Sequence, residues 1–127
     1  MTKHIIHTNL APEAIGPYSQ AVEVDGFIYT SGQIGLDPES GEMVEGLENQ
    51  AHRVMKNVMA ILKAASSSND EIIKTLIFLR NIEDFAVVNE IYASYLNEPY
   101  PARSAIEISK MPKDALVEIE VIAKKEA

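Results

Sequence analysis

Cysteine is absent from the 127 residues, which excludes a disulfide framework, thiolate zinc sites and a cysteine nucleophile, and accords with a reducing compartment. Glycine and proline are scarce, six of each, and no low-complexity tract interrupts the chain, so neither a fibrous nor a disordered organisation is expected. Long apolar runs are also missing. The N-terminus, Met1-Thr2-Lys3-His4-Ile5-Ile6-His7, holds only a two-residue apolar run, far short of a signal-peptide core, and nothing later approaches membrane length. A soluble, cytoplasmic protein with no membrane partner is expected. Positive charge is in deficit too, with 11 basic residues against 19 acidic ones and a net charge of −8. Such a field repels phosphate backbones, so nucleic acid is disfavoured as a partner and any RNA binding should be weak and salt-sensitive.

What is present is a 46% apolar complement, enough for one domain over residues 1–127. Val22 to Ser31 reads as a hairpin, because two β-prone runs flank Asp25-Gly26, a dipeptide that accepts positive φ in a tight turn. Leu47, Ala51, Val54, Met55, Val58, Ile61, Leu62 and Ala65 recur at steps of three and four, predicting a helix over about 47–66 that Ser66-Ser67-Ser68-Asn69 breaks. A strand over 72–79 follows. The capping side chains of Asn81 to Asp84 then introduce a second helix over about 84–96, with Phe85, Val88, Ile91, Tyr92 and Tyr95 on one face. Pro99 and Pro101 end it, and strands over 104–108 and 116–123 flank the turn-prone Lys110–Asp114. With an N-terminal strand added, this order predicts an α+β, ferredoxin-like domain, a mixed sheet with two helices on one face. Its other face is too apolar to stay exposed, and self-association would cover it.

Few residues are left to carry chemistry. His4, His7 and His52 lack metal-ligand spacing, no phosphate-binding or nucleophile-elbow motif occurs, and Ser31 has no histidine placed to activate it. Arg103, following a proline-bounded loop, offers a planar fork that grips a carboxylate bidentately; an ordinary surface ion pair would use it equally well. Glu118 and Glu120, two apart in the last strand, share one sheet face and are either partly buried or simply solvated. Gly32 either admits a ligand to the backbone or ends a strand. Tyr18 either closes over a small ligand or packs in the core.

Taken together, Ala14-Ile15-Gly16-Pro17-Tyr18-Ser19-Gln20, Thr30-Ser31-Gly32-Gln33-Ile34, Phe85 to Tyr92, Pro101-Ala102-Arg103-Ser104 and Met111 to Ala123 resemble the Rid, or YjgF, family of reactive-intermediate deaminases. The resemblance spans nearly the whole chain in order. It implies a chorismate-mutase-like homotrimer with ligand pockets at the subunit boundaries, no metal or organic cofactor, and small 2-imino and 2-keto acids as ligands. Carried over, the carboxylate-binding arginine is Arg103 and the water-orienting glutamate is Glu118. Gly32 would supply a backbone donor beside Ser31, and Tyr18 and Asn89 would line or close the pocket. Many deaminase members have cysteine two residues after the arginine where this chain has Ala105, which keeps backbone contacts but removes any thiol chemistry. The implied activity is hydrolysis of 2-imino acids to 2-keto acids and ammonia. A non-catalytic regulator that binds small carboxylates is the alternative, and the ribonuclease or translation-inhibitor role attached to some relatives fits the acidic charge poorly.

Overall fold

In the computed structural model, which describes residues 2–127, eight main elements follow one another: β1 (His4–Ile6), β2 (Ala21–Val24), β3 (Phe27–Thr30), α1 (Leu47–Ala64), β4 (Ile72–Leu79), α2 (Phe85–Ser94), β5 (Ala102–Glu107) and β6 (Val117–Lys124). Short 3₁₀ turns occupy Asn69–Glu71, Ile82–Asp84 and Pro112–Asp114. The strands form one mixed sheet in the order β1-β2-β3-β6-β4-β5. Only β4 and β5 pair in parallel, and the other neighbours are antiparallel. The β2–β3 hairpin turns through Asp25 and Gly26, at φ 52° and 83°, as the dipeptide predicts.

Element boundaries shift for identifiable reasons. α1 stops at Ala64 because Ser66 takes a left-handed φ of 60°, with Ser67 N–H donating to Leu62 O and Ser66 N–H to Lys63 O. This Schellman pattern closes the helix without glycine. α2 starts at Phe85, since Ile82–Asp84 forms a 3₁₀ turn whose Glu83 N–H is accepted by the Asn81 side chain at 2.9 Å, and it ends at Ser94. β5 begins at Ala102 rather than Ser104, because its ladder to β4 runs from Lys74–Ala102 to Leu79–Glu107. Arg103 therefore lies within a strand. His7 falls outside β1 and its Nε2 meets Glu13 Oε1 at 2.7 Å.

Both helices pack on one face. α1 buries Val54, Met55, Val58, Ile61 and Leu62, and α2 adds Val88 and Tyr92, against Ile28, Ile77, Leu79, Val117, Ile119 and Val121 of the sheet. The opposite face carries Phe27, Tyr29 and Ile106, exposed at 37%, 44% and 47%, around half-buried Leu76, Phe78 and Ile122. Glu118 and Glu120 stand among them, opposite Phe78 and Leu76 in the ladder. A large apolar surface studded with two carboxylates is not the usual outer face of a monomer.

Candidate active site

Arg103 pairs with Thr75 across the β4–β5 ladder and so projects to the helix side, at the sheet edge. α2 receives it there. Phe85, Asn89 and Tyr92 recur at steps of four and three on one helix face. The guanidinium carbon lies 5.0 Å from the Phe85 ring centre and 5.5 Å from that of Tyr92. Arg103 Nη1 donates to Asn89 Oδ1 at 2.5 Å, which uses one of the five donors of the fork. No ion pair to Arg103 occurs among the described residues. Asn89, Tyr92, Tyr100, Pro101 and Arg103 surround a cavity of about 440 Å³. Ala105, by contrast, packs partly buried against the core.

A second cavity, of about 380 Å³, holds Tyr18, Ser31, Gly32, Ile34, Lys113 and Glu118 among its walls. A Cβ added to Gly32 would come 1.9 Å from Glu118 Oε2, so a side chain there would displace the carboxylate from its present position, whereas glycine admits it. Glu118 is half-buried, and no hydrogen bond or ion pair to its side chain occurs among the described residues. Burial, and secondarily the negative charge of Glu120, push its pKa above the ordinary 4.5. Ser31 Oγ donates to Ser19 O at 2.5 Å, which fixes the hydroxyl as a loop brace. Tyr18 is 53% exposed at the cavity wall, and its hydroxyl accepts the Ile15 N–H at 3.3 Å.

The sequence-predicted residues thus fall into two groups that one chain does not unite. Asn89 and Arg103 lie on the helix side of the sheet, while Glu118, with Tyr18, Ser31 and Gly32 around it, belongs to the other side. One cavity carries a guanidinium and the other a carboxylate.

Buried amides escaped the sequence reading although they build the second cavity. Gln20 Oε1 accepts the Thr8 N–H at 2.7 Å while its Nε2 donates to the carbonyls of Thr8, at 3.0 Å, and Pro12, at 2.8 Å, folding the N-terminal segment onto the site. Gln33 exchanges backbone hydrogen bonds of 2.9 and 3.0 Å with Ile119, which fixes Gly32 beside Glu118. Asn57, fully buried in α1, donates to Ile34 O and Leu36 O at 3.2 and 3.1 Å. Asn57 sits three residues after Val54 and four before Ile61, so a polar residue inside the apolar helix stripe was the available signal.

Residues 8–125 match the family described as Endoribonuclease L-PSP. A RutC family protein of Pyrococcus abyssi is 48% identical over 127 residues, covering 99% of this chain and 100% of its own length. The 2-iminobutanoate/2-iminopropanoate deaminase of Mus musculus is 48% identical over 122 residues, covering 95% and 90%. The crystal structure of a Rid-family protein from Yersinia pestis superposes with a TM-score of 0.95 at 50% identity, covering 97% of this chain and 99% of that one.

Proposed function

We propose, since this chain belongs to the Endoribonuclease L-PSP family, known also as the Rid or YjgF family, that it hydrolyses short 2-imino acids to 2-keto acids and ammonia. The reaction takes place in pockets shared between neighbouring copies of a homotrimer. The observation that carries this reading is the Glu118 carboxylate, half-buried, raised in pKa and without a hydrogen-bond or ion-pair partner among the described residues, in a cavity whose wall includes Lys113 but no arginine. A deaminase among the relatives, similar along nearly its whole length, supports the same chemistry.

Arg103 of one copy holds the substrate carboxylate, and Glu118 of the next accepts a proton from the water that attacks the C=N carbon. That proton passes to nitrogen to give a carbinolamine, Glu118 then carries the proton of its new hydroxyl to the amine, the C–N bond breaks, and ammonia leaves as the 2-keto acid forms. An imine carbon is already electrophilic, so placement and one base suffice. The Arg103 cavity alone would serve a carboxylate-binding regulator, and the two readings separate on Glu118, which such a regulator does not need. The test generates 2-iminopropanoate or 2-iminobutanoate in situ with an amino-acid oxidase or dehydratase. Acceleration of keto-acid release supports catalysis, and none, with a 2-keto acid still bound, supports the regulator.

Assembly is required for this site. Sedimentation equilibrium at micromolar concentration should give a species three times the 14.0 kDa of one chain; monomer alone would remove the shared pocket.

The pH profile carries a further expectation. Glu118 acts as the carboxylate, so kcat/KM should fall as pH drops through its pKa, with the acid limb centred above 4.5. Glu120→Gln removes the smaller of the two raising effects, so the limb should move to lower pH without reaching the ordinary value. An unmoved limb, or one moved upward, would count against Glu118 as the titrating base.

A further inference from the structure

The aromatic seat of Arg103 is unusually complete for an edge strand. An arginine on such a strand would ordinarily sample many rotamers, and a carboxylate site built on it would lose affinity to the ordering of that side chain. Here three side chains of α2 converge on one guanidinium. Phe85 and Tyr92 of α2 lie 5.0 and 5.5 Å from its carbon, and Asn89 between them accepts from Nη1. Tyr92 is in turn held, since its hydroxyl donates to Thr75 Oγ1 at 2.9 Å in a fully buried bond. Thr75 is the residue that pairs with Arg103 across the β4–β5 ladder, so the strand carrying the guanidinium and the ring that receives it are both registered to one side chain.

We infer that Phe85 and Tyr92, with Thr75 fixing the latter, are positioning residues that hold the Arg103 fork in one orientation for a substrate carboxylate. The inference rests on the carboxylate-binding reading of Arg103 given above. It assigns Phe85 a role that the apolar helix pattern does not require, since Phe85 is only partly buried, and gives Tyr92 a second role beside its place in the core. The rings and the amide act on the same group from one helix face, and their quadrupoles favour a cation above them without neutralising it. The charge thus stays available to the substrate.

The experiment compares Phe85→Leu, Tyr92→Leu and Tyr92→Phe in the assembled protein, with folding checked by thermal denaturation and steady-state kinetics measured on 2-iminobutanoate generated in situ. Loss of either ring should raise KM by roughly two- to tenfold, the span of a cation–π contact plus some lost order, with kcat within about twofold because the carboxylate is held in ground and transition states alike. Tyr92→Phe keeps the ring and should restore most of the KM that Tyr92→Leu loses. In an Arg103→Ala background, Phe85→Leu should cause no further loss of kcat/KM, which a general structural defect would not reproduce. Should Tyr92→Leu fail to fold, Phe85→Leu and its double variant decide the matter. A folded Phe85→Leu protein with unchanged KM, or one equally impaired with and without Arg103, overturns the inference. If Arg103→Ala itself leaves KM and kcat unchanged, the carboxylate-binding reading fails first, and the two failures are thereby told apart.

Discussion

Arg103→Ala is expected to lower kcat/KM for 2-iminopropanoate or 2-iminobutanoate by roughly ten- to more than a hundredfold, since a charge-assisted contact of about 1.5–3 kcal/mol is lost. Misplacement of the reacting carbon should deepen the loss. The protein should still fold, because the side chain is exposed at a sheet edge and its one hydrogen bond goes to the equally peripheral Asn89. Arg103→Lys should recover little, as an ammonium is a point charge without the planar fork and cannot lie across Phe85 and Tyr92 in the same way. Turnover of the folded Arg103→Ala protein at the wild-type rate would show that the carboxylate is held elsewhere.

Glu118→Gln should separate binding from chemistry. The amide keeps the shape of the side chain packed over Gly32 and removes the proton acceptor. Affinity for a 2-keto acid product should stay close to wild type, while kcat falls by about 10²–10⁴-fold, the range typical of a lost general base. Burial in this position favours the change energetically, because an uncharged amide is easier to desolvate than a carboxylate. The variant should therefore be at least as stable as wild type at neutral pH, which a calorimetric scan would check. A Glu118→Gln protein that turns over normally would show that Glu118 is not the base.

Local pattern carried much of the architecture. Asp25-Gly26 dictated a hairpin, and the apolar stripe from Leu47 to Ala65 placed α1 within two residues of its observed end. β5 was displaced because its boundary is set by a parallel ladder to β4, a non-local pairing that Pro101 and Arg103 do not announce. The candidate site was legible as residues and not as geometry. Period-two alternation put Glu118 and Glu120 on one face, but which face Arg103 takes depends on its register against Thr75, and register between distant strands has no local signature. Gly32 was singled out for a ligand's approach, and the structure adds that the Glu118 carboxyl packs closely over it. Gln20, Gln33 and Asn57 were passed over because a buried amide looks like any surface amide until its partners, mostly backbone carbonyls far away in sequence, are known.

The central claim, that Arg103 of one copy and Glu118 of another form a single site, is tested most directly by mixing. Arg103→Ala and Glu118→Gln chains are each strongly impaired alone in this account, but co-expression in equal amounts should regenerate intact sites wherever an unaltered Arg103 meets an unaltered Glu118 across a boundary. In a closed trimer every mixed species contains one such boundary, so random assembly should restore about a quarter of the wild-type activity. Mixed trimers, verified by mass, that remain as inactive as either parent would contradict the claim.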